Sequence, residues 1–220
     1  MTKAPLAIKI IVGGAFMQNY NIYTHARNAA WQFLLDNDVK QLPIGLSYLC
    51  HNNNIILKQD NINSVLKSSD RGITYIRNDT YTIIVNGADT IPTQRYTVAH
   101  ELGHIYLCHP LSEGIYGRSF GPQREPKTSI EYQAERFAID ILAPACVLWG
   151  LDIHKSEDIA KLCNISLTAA QIRAERMELL YKREQDFCQK YRRSCFLQSP
   201  LEQKVYKQFE EFIKQNQQQK

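Results

Sequence analysis

The spacing of apolar and polar residues along the chain predicts a mainly helical protein. From Ile22 to Asn37 the apolar residues recur every three or four positions, which indicates an amphipathic helix. Pro43 predicts that a short second helix starts at Leu42 to Ile44 and runs through Leu49, because proline fits the first turn of a helix. The later helices are predicted between an N-cap at Thr93 and a stop at Pro110, and at Ser129 to Leu142, Glu157 to Cys163, Leu167 to Tyr181 and Leu201 to Ile213.

Strands are predicted only in the middle of the chain. Ile55 to Leu57, Gly72 to Arg77 and Tyr81 to Asn86 are rich in β-branched and aromatic residues, and the last two flank the turn residues Asn78-Asp79-Thr80. We therefore expect a hairpin within a small antiparallel sheet, packed on the helix that follows Thr93. The fold class that results is α+β and mainly helical.

The helix that follows Thr93 contains the chemistry. It carries His100-Glu101-Leu102-Gly103-His104, and at 3.6 residues per turn two histidines four positions apart lie on one face and can bind one zinc ion. The glutamate between them is then placed beside an open coordination position, as in zinc peptidases. Apolar neighbours on most sides of the helix indicate burial, and buried polar groups need a partner such as a metal.

A catalytic zinc ion usually has three protein ligands, so a third donor must come from elsewhere. Glu131, beside the apolar stripe of the next helix, is one candidate. The sequence Thr128-Ser129-Ile130-Glu131 also has the spacing of a capping box, which would account for this glutamate without a metal. Cys108 and His109 are rival ligands, although the longer pattern of a third histidine six positions after His104 is absent. The spacing leaves these alternatives open.

Two motifs resemble the ImmA/IrrE family of zinc metallopeptidases. They are Arg95 to His104 and the segment Glu131-Tyr132-Gln133-Ala134 with Phe137-Ala138, Leu142 and Pro144, and the likeness extends over roughly residues 20–180. The resemblance implies a zincin-like peptidase core that binds Zn²⁺, with Glu131 as the third ligand after His100 and His104, and Glu101 as the catalytic base. Glu135 stands where the family usually has Asn or Asp, at a position expected to contact a zinc-binding histidine.

The resemblance also implies a biological role. Members of the family cut helix-turn-helix repressors in mobile elements or stress responses, so we expect a site-specific endopeptidase whose partner is such a repressor. A donor for the oxyanion of the reaction is required too. Arg95, Tyr106, His109 and Tyr116 are the candidates for this role or for substrate binding, and the sequence does not choose among them. The segment between Pro110 and Thr128, rich in glycine and proline, is either a substrate-binding loop or a surface excursion.

Four regions are predicted: a weakly structured segment at 1–19, the peptidase domain at 20–150, a helical hairpin packed on it at 151–182, and a charged helix and tail at 183–220. The hairpin resembles a helix-turn-helix, so the alternative function is a DNA-binding regulator with a structural or vestigial metal site. Residues 1–172 carry 15 basic and 15 acidic residues and residues 173–220 carry 11 and 7, an excess too small to predict more than weak nucleic-acid binding. Six widely spaced cysteines and the lack of a long apolar run indicate a cytoplasmic protein with no membrane partner.

Overall fold

The computed structural model describes residues 23–62, 65–67, 70–110 and 129–218, and helices make up most of these residues. The helices of these ranges, in chain order, are α1 (23–36), α2 (Leu46–Asn52), α3 (Ile91–Tyr106), α4 (Ser129–Leu142), α5 (Ala145–Gly150), α6 (Ser156–Cys163), α7 (Leu167–Tyr191), α8 (Pro200–Gln208) and α9 (Glu210–Gln218). The predicted fold class is confirmed. None of these helices is both long and apolar enough to cross a membrane. The expected N-terminal segment and most of the region from Pro110 to Thr128 lie outside the described residues.

Three strands form one mixed sheet in the order β1 (Ile56–Asp60), β3 (Thr80–Asn86), β2 (Gly72–Arg77). β2 and β3 form the predicted hairpin, whose turn at Asn78 and Asp79 has positive φ at both residues, as a two-residue turn of type I′ requires. The prediction of a wholly antiparallel sheet was wrong, because β1 pairs with β3 in parallel. A tight turn encodes the hairpin locally, whereas nothing beside β1 specifies its partner or its direction.

Several predicted helix ends differ from the structure, and the single helix predicted at Leu201 to Ile213 is two helices, α8 and α9. α2 begins at Leu46, after Pro43 rather than around it. α3 begins at Ile91 with Thr90 as its N-cap residue, so the prediction of Thr93 was wrong; Pro92 fits the first turn and the helix therefore starts earlier. At its other end α3 stops at Tyr106, before Pro110, and Cys108 adopts a left-handed conformation with φ of 53°.

The core lies between α3, α4 and α5, with α1, the sheet and the C-terminal helices packed around them. Residues after 199 belong to it, since Val205, Phe209 and Ile213 are buried within the same cluster as the residues of α3 and α4. Gly150 at the end of α5 leaves no room for a side chain, because a Cβ there would lie 2.6 Å from Tyr206. Gln208 donates hydrogen bonds to the carbonyls of Leu34 and Val39 at 2.8 and 2.7 Å, which joins α8 to the end of α1.

α6 and α7 form the predicted hairpin, and α7 is ten residues longer than expected. An ion-pair network ties α7 to α4. Asp140, which is fully buried, lies 2.5 Å from Arg136 Nε and 3.4 Å from Arg173 Nη2, and Arg173 also donates to the carbonyl of Ala143. A buried arginine and a buried aspartate compensate each other only when both are present. This network therefore holds α4, the helix that carries Glu131, against α7.

Candidate metal centre

α3 presents His100 and His104 on its buried face. The two Nε2 atoms lie 3.0 Å apart, and the ring centroids are 4.8 Å apart. Both side chains are almost fully buried. Helix geometry explains the pairing, because residues four apart follow each other along one face, and each histidine therefore directs the same ring nitrogen toward the same point.

α4 brings Glu131 to the two histidines. Glu131 Oε2 lies 3.3 Å from His100 Nε2, and Oε1 lies 3.7 Å from His104 Nε2. Gly103 permits this approach, since a Cβ at that position would lie only 3.1 Å from the Cα and the carbonyl oxygen of Ala134 on α4. The glycine of the motif thus allows the third side chain to reach the other two.

The three side chains fit a tetrahedral metal ion. Nitrogen and oxygen ligands at about 2.0–2.1 Å from a tetrahedral ion are separated from one another by about 3.3 Å. His100 Nε2 lies 3.0 Å from His104 Nε2 and 3.3 Å from Glu131 Oε2, which is close to this value, and the other carboxylate oxygen lies 3.7 Å from His104 Nε2. Hydrogen bonds with His100 and His104 hold the pKa of the Glu131 carboxyl well below its usual range, so it is an anion ready to bind a cation. Among the described residues this is the one group of three or more His, Cys, Asp or Glu side chains placed to hold an ion together.

Glu101 lies next to this cluster without belonging to it. Its Oε2 accepts a hydrogen bond of 2.5 Å from Thr74 Oγ1 on β2, and both side chains are buried. Burial raises the pKa of Glu101, while the nearby His100 and the Thr74 hydroxyl act in the opposite direction. A carboxyl with a raised pKa close to a metal site is suited to accepting and returning a proton.

Thr74 was missed at the sequence level. Alternation along β2 places it on the face opposite Ile73 and Tyr75, which pack in a separate apolar cluster with Ile84. A polar residue in the middle of the buried face of a strand was the available signal. This signal does not indicate a functional residue by itself, because threonine is common in strands for its β-branched shape.

Of the rival ligands, His109 lies beside the cluster and Cys108 points away from it. The left-handed conformation of Cys108 turns the chain back, so that the His109 amide donates to the His104 carbonyl and His109 Nδ1 lies 3.1 Å from His104 Nδ1. His109 therefore contacts the ring nitrogen of His104 that faces away from Glu131, a position that fixes a ligand's orientation. The Cys108 side chain is exposed.

Arg95 and Tyr106, two of the residues considered for oxyanion stabilisation or substrate binding, are engaged elsewhere. The Arg95 guanidinium donates to the carbonyls of Ile44, Cys163 and Asn164, at 2.9 to 3.4 Å. The Tyr106 hydroxyl donates to Asp36 on α1 at 2.8 Å. Both residues thus hold α3 to neighbouring elements, and Tyr116 lies outside the described residues.

Glu135 lies one turn after Glu131 and is half-buried. Burial raises the pKa of the Tyr96 hydroxyl, and the charge of Glu135 adds to that rise. Tyr96 is itself one turn before His100, with ring centroids 6.3 Å apart. The pair therefore borders the cluster on the side of the first histidine.

A helix that carries two histidines and a buried glutamate, with a carboxylate from a second helix completing the cluster, is the arrangement of a metallopeptidase. A comparison with protein families agrees, since the family of M78 peptidases, described as the IrrE N-terminal-like domain, matches residues 51–175. The match covers more than half of the 220 residues, and the chain belongs to this family. The family resemblance of the two motifs is thereby confirmed. No curated protein matches the chain.

Proposed function

We propose that the protein is a zinc-dependent, site-specific endopeptidase of the cytoplasm that cuts a helix-turn-helix repressor in a mobile-element or stress-response circuit. One observation supports the peptidase chemistry above all others. His100, His104 and Glu131 converge with their ligand atoms within 4.8 Å of one another, and Glu101 lies beside them in a buried position. The repressor and its circuit rest on the family resemblance alone.

In this proposal His100 and His104 bind zinc through Nε2, and Glu131 binds through its carboxylate. When bound there, zinc supplies a Lewis acid that polarises the scissile carbonyl and makes water nucleophilic near neutral pH. Glu101 accepts the proton of the attacking water and returns it to the departing amide nitrogen. A site that served only to stabilise the fold would have no use for a buried glutamate that is not a ligand.

Zinc content and cleavage distinguish the roles of these four residues. We expect His100→Ala, His104→Ala and Glu131→Ala to lose stoichiometric zinc in metal analysis of the purified proteins. His154→Ala is the matched control, because this histidine is exposed and pairs with Asp152 at the surface, and it should retain full zinc.

Glu101→Gln keeps the shape of the side chain and removes the base. We expect this variant to retain zinc and to lose cleavage by a factor of about 10² to 10⁴, the usual contribution of a general base. The assay incubates the zinc-loaded wild-type protein and this variant with helix-turn-helix repressors encoded in the same genome and looks for a single cut by mass spectrometry. Full zinc in Glu131→Ala would refute the ligand assignment, and cleavage at the normal rate by Glu101→Gln would refute the assigned base.

A further inference from the structure

We propose that Thr74 is a positioning residue for the reaction, whose hydroxyl holds the Glu101 carboxylate so that one oxygen is occupied and the other stays available to the attacking water. This inference rests on the proposed function, in which Glu101 is the base. It concerns a residue of the sheet that lies outside both family motifs.

The contact is built into the way β2 packs on α3. Gly72 and Thr74 lie two positions apart on one face of the strand, while Thr97 and Glu101 lie one turn apart on one face of the helix. A Cβ at Gly72 would lie 2.4 Å from Thr97 Cγ2, so this glycine permits the strand to touch the helix. The next contact along the same two faces is the hydrogen bond from Thr74 to Glu101.

Threonine is suited to hold a carboxylate in one orientation. Its β-branched side chain has few allowed χ1 values in a strand, and only 2% of Thr74 is exposed, so the hydroxyl position is fixed before substrate arrives. A carboxylate is able to accept hydrogen bonds at both of its oxygens. With Oε2 held by Thr74 at 2.5 Å, rotation of the carboxylate is restricted and Oε1 remains for the water. Reactions that depend on proton transfer lose rate when the base is misplaced by even about 1 Å.

Two substitutions separate positioning from packing. Thr74→Val keeps the shape of the side chain and removes the donor, whereas Thr74→Ser keeps the donor and removes the methyl group. Thr82→Val is the matched control, because Thr82 is a buried threonine of the same sheet. It pairs across the ladder with Tyr75 and so lies on the face of the sheet that is turned away from α3.

The experiment measures zinc content, melting temperature, kcat and KM for the four proteins on a substrate that the wild-type protein cleaves. We expect Thr74→Val to keep full zinc, to lower kcat about 10- to 100-fold and to leave KM within about twofold, because one hydrogen bond to a charged group orients the base but does not bind substrate. Thr74→Ser should recover kcat to within about threefold of the wild-type value, and Thr82→Val should match the wild type. Unchanged kcat in Thr74→Val, or a loss in Thr74→Ser equal to that in Thr74→Val, would overturn the proposal.

A second readout needs no peptide substrate. Acetohydroxamate binds zinc and contacts the neighbouring carboxylate base through its own hydrogen-bonding groups, so its affinity reports the position of Glu101. We expect both Glu101→Gln and Thr74→Val to weaken its binding at least fivefold by calorimetry on the zinc-loaded proteins, with Thr74→Ser and Thr82→Val near the wild-type value. Equal affinity in wild type and Thr74→Val would refute the role of Thr74. If Thr74→Val and Glu101→Gln weaken acetohydroxamate binding as expected but the wild-type protein cleaves nothing, the proposed function is contradicted while the contact between Thr74 and Glu101 is confirmed.

Discussion

Gly103 lies where α3 packs closely against α4, the helix that carries Glu131. Replacing it with alanine should affect metal binding and folding stability to different extents. A Cβ at this position would lie 3.1 Å from Ala134 Cα, 3.1 Å from Ala134 O and 3.2 Å from Phe137 Cβ, where ordinary contacts begin at 3.4 Å. Two of these atoms are main chain, so no flexible side chain can rotate away. α4 itself must therefore move away from α3 by a few tenths of an ångström.

The stability of the metal-free protein should change little. Alanine is favoured over glycine inside a helix by about 1 kcal/mol, and forcing a methyl group into a packed interface costs about 1–3 kcal/mol. The two effects partly cancel, and we expect a net destabilisation between about 0 and 2 kcal/mol. Metal binding has no such compensation, because Glu131 moves with α4 and ligand distances in a metal site tolerate only about 0.2 Å. We expect zinc affinity to fall at least tenfold, equivalent to about 1.4 kcal/mol.

Urea unfolding at two fixed zinc levels tests this reasoning. The free energy of unfolding is measured with a chelator and again with buffered free zinc, and their difference gives the stabilisation due to zinc. Gly45→Ala is the control, since the nearest atom to a Cβ there is Tyr48 Cβ at 3.7 Å and φ is −80°. If Gly103→Ala keeps the whole zinc-dependent difference while the chelated protein is destabilised, then the glycine serves only packing and the link to Glu131 is wrong.

Two further predictions concern the core around the site. Asp140→Ala leaves Arg173 buried without its carboxylate and should lower the free energy of unfolding, measured in urea, by about 3–5 kcal/mol. Asp152→Ala removes an exposed ion pair and should change it by about 0.5 kcal/mol or less. Similar losses in the two variants would contradict a special role for the buried network. Phe209→Ala should cost about 3–5 kcal/mol because the ring is fully buried, while Leu179→Ala, at an exposed position, should be near neutral. An unchanged free energy of unfolding in Phe209→Ala would contradict the contribution of this ring to the core.

The sequence predicted the elements whose signals lie within a few neighbouring residues. α4 was located to the residue, because an amphipathic stripe, a serine start and a following proline agree. The hairpin of β2 and β3 was found for the same reason. α5 was not predicted, since Ala145, Cys146, Val147 and Leu148 are all buried and a helix with no polar face has no period to detect.

At the site, the two histidines follow from helical spacing alone, whereas Glu131 needed the family resemblance and Thr74 was not found at all. The difference is one of sequence distance. His100 and His104 are four residues apart and their geometry is fixed by one helix, but Thr74 lies 26 residues before His100 and Glu131 lies 27 residues after His104. Their positions depend on how α4 and β2 pack on α3, and on the small size of Gly103 and Gly72.

The hydrogen bonds from Gln208 to α1 have a consequence for synthesis of the chain. They join residues 174 and 169 positions apart, so the surroundings of α1 are completed by a helix that is synthesised much later. Contacts of such long range form late in folding, because chain closure must come first. We therefore expect nascent chains that end before α8 to lack a finished core around α3 and α4. The helices that carry His100, His104 and Glu131 would then settle into their final packing only after α8 has been synthesised.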